Sequence, residues 1–177
     1  MRVLGIDPGS RYCGFGMVEE ADQSRVKYLA HGVLALGESR PVEERLCDLY
    51  DGLCREIEKH RPDVVAVEDV FHAKNARSAL VLGQARGVAL LAAARSGATI
   101  RSFPPSVIKL AVTGSGRAEK EQVGRMVSVL LGVQLEGRLD ASDALAAAIC
   151  GVLRRNAPTE PSRARDWRTA LARKVMR

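Results

Sequence analysis

Met1-Arg2-Val3-Leu4-Gly5-Ile6-Asp7-Pro8-Gly9-Ser10 opens the chain. Val3, Leu4 and Ile6 form a short apolar run, and Asp7-Pro8-Gly9-Ser10 is a turn signal that ends it. A second run follows over residues 12–18, so the two read as an antiparallel hairpin. Residues 26–36, with Gly32 in the interior, add a third strand and make the opening third a meander. An acid therefore stands where the first apolar strand gives way to a turn.

Beyond the meander the hydrophobic period changes. Leu46, Leu49, Tyr50, Leu53 and Ile57 recur at three and four, which predicts a helix over residues 42–60, closed by Arg61-Pro62. Asp63-Val64-Val65-Ala66-Val67-Glu68 reads as a short strand buried on both faces, as in a parallel arrangement. A long helix is expected over residues 75–95, where Gly83 and Gly87 leave a flat strip that suits tight packing within the chain or a dimer seam. Residues 99–103 read as a fifth strand, 105–111 as a short helix, 113–117 as a Gly-rich loop, and 119–131 and 140–155 as helices. Three strands followed by alternating helices and strands predict an α/β fold: a mixed five-stranded sheet flanked by helices.

At 177 residues, 46% apolar and 27% charged, the chain has the size and composition of one folded domain. We place that domain at residues 1–155. Residues 156–177 begin with a linker-like Asn156-Ala157-Pro158-Thr159-Glu160-Pro161-Ser162 and form a basic tail, read as flexible or as an interaction segment. Trp167, Leu171 and Val175 at intervals of four leave a marginal basic helix as the alternative. No window approaches the roughly 18 consecutive apolar residues of a membrane span, so a soluble cytoplasmic protein with no membrane partner is expected. Cys13, Cys47, Cys54 and Cys150 contain no C-x-x-C pair and read as buried thiols, Cys47 and Cys54 on one helical face.

The net charge of +6 is unevenly distributed. Residues 1–71 carry 9 basic and 14 acidic side chains, 72–125 carry 9 and 2, 126–153 carry 1 and 3, and 154–177 carry 8 and 2. A basic block between two acidic ones, with isolated acids among apolar residues, suits an enzyme that binds nucleic acid around a metal site. An ordinary charged surface with a solvated tail is the plainer alternative.

Four acids carry the chemistry. Asp7 and Glu68 each end an apolar strand, and Leu139-Asp140-Ala141-Ser142-Asp143-Ala144-Leu145 places two acids three apart at the first turn of a helix. Singly, Asp7 could serve the turn, Glu68 a surface base, and the Asp pair the helix dipole. If the two strand ends are neighbours and the last helix crosses them, the four converge. At about 4 Å and an effective dielectric near 20, each like-charged pair costs on the order of 4 kcal/mol, which protonation or a cation must offset. All-oxygen donors point to Mg²⁺ or Mn²⁺ rather than Zn²⁺, and two such ions together are a recurrent means of cutting phosphodiesters.

Gly5-Ile6-Asp7-Pro8-Gly9, Glu68-Asp69-Val70-Phe71, Lys74-Asn75, Gly83-Gln84-Ala85-Arg86-Gly87 and Asp140-Ala141-Ser142-Asp143-Ala144-Leu145 resemble the RuvC crossover-junction endodeoxyribonucleases in order and spacing, over residues 1–153. The resemblance implies an RNase H-like fold and a homodimer. It further implies Mg²⁺-dependent hydrolysis of Holliday junctions in recombination and repair, leaving a 5′-phosphate. It implies Asp7, Glu68, Asp140 and Asp143 as catalytic and metal-binding acids, with two Mg²⁺ per site and Mn²⁺ as a substitute. Phe71, Lys74, Lys109 and Lys120 are the implied DNA-binding residues, and a branch-migration motor of the RuvA and RuvB type is an implied partner. Phe71 also stands in a polar, basic stretch where base stacking is a reasonable use for an aromatic ring. Asp69 departs from the family, which often carries an amide there; strand alternation should turn it away from the metal site. His72 is read as a DNA contact or surface residue.

Other readings are weaker. Actin-like kinases share the strand-Asp-Gly opening but need two such lobes, and Gly114-Ser115-Gly116-Arg117-Ala118-Glu119-Lys120 lacks the ending of a P-loop. A catalytically silent junction-binding module would not need all four acids. A nuclease acting on RNA is the reading that residue chemistry separates least, because a carboxylate site is indifferent to the 2′-hydroxyl.

Overall fold

β1 (Arg2–Asp7) is buried from Val3 to Ile6 and emerges at Asp7. In the computed structural model, which describes residues 1–21, 25–69, 75–135 and 139–155, it is the middle strand of five. β2 (Tyr12–Glu20) runs antiparallel to it and β3 (Val26–Ala35) antiparallel to β2. On the other side β4 (Val64–Glu68) and β5 (Thr99–Phe103) run parallel, giving the order β3-β2-β1-β4-β5. This is the mixed sheet expected from the strand pattern.

Successive residues of β1 and β4 face opposite sides, so each strand serves two cores. Leu4, Ile6, Val65 and Val67 pack with Leu49, Leu53 and Ile57 of α1 (Val42–His60) and the alanines of α2 (Ala76–Ser96). Val3, Val64 and Ala66 face α3 (Pro105–Thr113), α4 (Lys120–Leu131) and α5 (Leu139–Leu153). Asp7 falls in step with Val3 and Glu68 with Val64 and Ala66, so both point to the α5 side.

Helix ends follow local chemistry. Asn75 caps α2 by accepting from the Ser78 amide at 2.9 Å, and Gly97, Gly114 and Gly132 close α2, α3 and α4 in the left-handed region. α1 stops at Arg61, which adopts that region itself because Pro62 cannot extend the helix.

One expectation is corrected. Cys13 and Cys150 are buried, but Cys47 is exposed and Cys54 only partly covered. Those two do share a face of α1, yet it lies roughly 100° round the helix from the buried stripe of Leu49, Leu53 and Ile57. Among the described residues no helix is long and apolar enough to cross a membrane. The tail, residues 156–177, lies outside the described residues.

Candidate active site

The parallel register of β1 and β4 runs to Ile6 against Val67, so Asp7 and Glu68 each follow by one residue at adjacent strand ends. Asp7 is also paired with Gly14 of β2. α5 lies directly against this part of the sheet, because the strands present glycines to it. A Cβ on Gly5 would stand 1.9 Å from the Ala144 carbonyl oxygen, and one on Gly14 would stand 2.0 Å from that of Asp140. Only a bare backbone admits the helix so closely. α5 thereby carries the Asp140 backbone onto Gly14, beside Asp7, while Ala141, Ala144, Leu145 and Ala148 are buried.

Asp143, one turn further along α5, shares with Glu68 a cavity of about 200 Å³. Lys109 of α3 and Lys120, the first residue of α4, line the same cavity with Pro105, Ile108, Val123 and Ala146. The Lys120 ammonium lies 2.6 Å from Oδ2 of Asp143. A larger groove of about 500 Å³, between α1 and α2, is lined by Tyr50, Cys54, Ile57, Arg61 and Arg95 among others and holds none of the four acids. Charge rather than volume marks the reactive corner.

Electrostatics ties the four acids together. Burial, then the fields of Glu68, Asp143 and Asp140, push the Asp7 carboxyl up to about 8, with Lys120 working against the rise. Burial and Asp143 push Glu68 up to about 7, opposed by Lys120 and Lys109. Asp143 is also raised, chiefly by burial and despite its bond to Lys120. Burial pulls the Lys120 ammonium down, but the bond and field of Asp143 outweigh it and the net shift is upward. Acids crowded in this way call for positive charge, since burial and like charge both disfavour ionisation.

The donors suit a hard divalent cation: four carboxylates, with neither sulfur nor imidazole among them. They surround the corner without closing on it. Among the described residues no three His, Cys, Asp or Glu side chains are gathered tightly enough to hold an ion as they stand. Lys120 occupies Asp143, supplying part of the compensation a cation would provide.

Of the DNA-binding candidates, Lys109 and Lys120 are at this corner, whereas Phe71, Lys74 and the neighbouring His72 lie outside the described residues. Asp69 does turn away from the acids, and its partner is Arg86 of α2. Sequence reasoning missed two contributions. The strand-interior glycines Gly5, Gly14 and Gly16 were the legible signal for a close-packed helix, whereas no local pattern announced the pairing of Arg86 with Asp69.

The family model described as "Crossover junction endodeoxyribonuclease RuvC" matches residues 3–151. A protein of that name from Koribacter versatilis is 48% identical over 151 residues, covering 85% of this chain and 91% of its own. Another, from Pelobacter propionicus, is 44% identical over 173 residues, covering 95% and 98%. The solved structure described as Thermus thermophilus RuvC in complex with Holliday junction substrate is similar with a TM-score of 0.81 and 31% identity, covering 88% of this chain and 94% of that one.

Proposed function

The chain belongs to the RuvC family of crossover junction endodeoxyribonucleases, and on that premise we propose which of its residues perform the reaction. It is a metal-dependent endonuclease that resolves four-way DNA junctions in recombination and repair. Asp7, Glu68, Asp140 and Asp143 are the catalytic acids and would hold two Mg²⁺, with Mn²⁺ an acceptable substitute. The observation that carries this assignment is Asp7, held at about 8 by burial and by the fields of the other three acids.

When bound, the divalent ions supply Lewis-acid activation of water and neutralise charge on the leaving oxygen. The chain does the rest. Asp7 and Glu68 would release their protons to solvent on binding the cation, and their adjacent strand ends bring both carboxyls to one corner. Lys120 exchanges Asp143 for the scissile phosphate, and Lys109 adds a second positive charge from α3. Hydrolysis leaves a 5′-phosphate and a 3′-hydroxyl.

Phe71 and Lys74, just before α2, are proposed to contact the junction by base stacking and phosphate binding. The active form is a homodimer, since a two-fold junction is most simply cut by two sites related by the same symmetry. α2 offers the seam: Leu80 and Leu91 are 65% and 52% exposed, and among the described residues nothing lies within 4 Å of a Cβ built on Gly83 or Gly87 between them. Residues 1–155 form the nuclease domain, residues 156–177 add a basic tail to it, and the enzyme works in the cytoplasm. A branch-migration motor of the RuvA and RuvB type is the partner that prepares the junction.

The test is an Mg²⁺-dependent cleavage assay on a four-way junction, with an RNA–DNA hybrid as competitor. Cleavage by wild type, its loss in Asp7→Asn with junction binding retained, and indifference to the hybrid are expected. Wild-type turnover by Asp7→Asn would overturn the assignment.

A further inference from the structure

Glu68 and Asp69 are consecutive acids at the end of one strand, and only one of them can face the site. Asp69 falls in step with Val65 and Val67, on the side of α1 and α2. There it accepts a hydrogen bond from Nη2 of Arg86, on α2, and the same nitrogen stands 2.9 Å from Oγ of Ser102, on β5. The Asp69 amide donates to the Phe103 carbonyl at 2.9 Å, one step beyond the last pair of the β4–β5 ladder. The side chains of Arg86 and Asp69 are only 26% and 21% exposed, so the pair is well shielded from water.

A guanidinium is suited to this place. It is permanently charged and rigidly planar, and from one helix a single terminal nitrogen reaches an acid on one strand and a hydroxyl on the next. Among the described residues Arg86 is the cation paired with Asp69, and removing it would leave a largely buried carboxylate without that counter-charge. A turn of the strand end toward the cation corner would relieve it, and would carry Glu68 off its bearing. Resting on the assignment of Glu68 made above, we propose that Arg86 is a positioning residue for the metal site. It holds Asp69 on the far face, so that Glu68 alone is presented to the cation, and braces the end of β4 against β5 and α2.

This also gives α2 a double role, because Arg86 lies on the same helix as the exposed strip of Leu80, Gly83, Gly87 and Leu91. Whatever fixes α2 also fixes the strand end that bears Glu68.

The experiment uses the full chain after chelator treatment. Mn²⁺ binding is measured by calorimetry, Mg²⁺ is titrated in junction cleavage, and junction affinity is measured without metal. Arg86→Gln is expected to weaken Mn²⁺ binding and raise the half-saturating Mg²⁺ by about 10- to 100-fold, with metal-free junction affinity little changed. Arg86→Gln combined with Asp69→Asn should recover most of that loss, because an amide pair keeps the hydrogen bond and removes the stranded charge. Arg86→Lys should fall between, since the ammonium keeps the charge but lacks the rigid planar head that places the nitrogen; it carries the test if Arg86→Gln unfolds. Wild-type Mn²⁺ affinity in folded Arg86→Gln, or no recovery in the double variant, would overturn the proposal. Glu68→Gln is the control: if it binds Mn²⁺ and cuts as wild type does, the assignment of Glu68 is what fails.

Discussion

Gly14 and Asp140 meet backbone to backbone: a Cβ on the glycine would lie 2.0 Å from the carbonyl oxygen of the aspartate. Gly14 is the residue paired with Asp7 across β1 and β2. The missing side chain is therefore what lets the last helix bring its acids to the first strand. Gly14→Ala must push α5 away, and neither partner is a flexible side chain that could yield. We expect a loss of about 1–3 kcal/mol, read by thermal unfolding, and a loss of cleavage larger than the loss of junction binding. An alanine variant that melts and cuts like wild type would show that the helix is not seated on this glycine.

Asp7→Asn should bind four-way junctions and fail to cut them, with a rate loss of at least about 100-fold, as for removal of a group that organises charge in the transition state. Gel-shift and cleavage assays on the same preparation check it. Loss of binding and cutting together would point to misfolding instead.

The raised carboxyls predict how stability responds to pH. An unfolded Asp titrates near its ordinary 3.8, whereas folded, metal-free Asp7 titrates at about 8 and Glu68 at about 7. Between these values the native state binds more protons than the unfolded state, so their contribution is full below about pH 4 and is lost as pH rises through 7 and 8. A tenfold change in the acidity of one carboxyl corresponds to about 1.4 kcal/mol, so the chelator-treated protein should melt markedly lower at pH 8 than at pH 5. Asp7→Asn should flatten much of that slope. Divalent cation should act in the opposite sense, stabilising more at higher pH and releasing protons as it binds. A metal-free melting temperature flat from pH 5 to 8 would contradict the electrostatic picture.

Lys120→Ala removes the ammonium that lies 2.6 Å from Asp143. Cleavage should fall, and the dependence of junction affinity on salt should become shallower by about 0.9 in log–log slope for each phosphate left without its cation. Lys109→Ala should do the same to a smaller degree, since Lys109 lines the cavity from the α3 side. Unchanged slopes and rates in both variants would remove the lysines from the reaction.

Leu80→Glu with Leu91→Glu places charge on the exposed strip of α2 without touching the buried face of Ala85, Ala89, Ala92 and Ala93. Sedimentation should then report a monomer, and junctions should accumulate single nicks in place of paired cuts. A dimer that survives both substitutions would place the seam elsewhere.

Much of this protein was legible in the chain because the relevant signals are local. The strand and helix boundaries, the turn after Asp7, the two acids three apart near the start of α5 and the inward–outward alternation that separates Glu68 from Asp69 all follow from periods of two and of about 3.6 residues. The α1 cysteines mark where such reasoning falls short. Sharing a face is a local property, but which face is buried depends on what packs against it.

Tertiary structure alone determined the rest. That Asp7 stands beside Glu68 depends on β1 pairing in parallel with β4. That Asp140 reaches them depends on a glycine-lined sheet admitting α5 to backbone contact, and the pairings of Asp143 with Lys120 and of Asp69 with Arg86 join residues 23 and 17 positions apart. Sequence periodicity reports which way a side chain points from its own element. Which elements become neighbours, and how closely they approach, is decided by packing and strand register across the whole fold, and the charge of the site is a consequence of that approach.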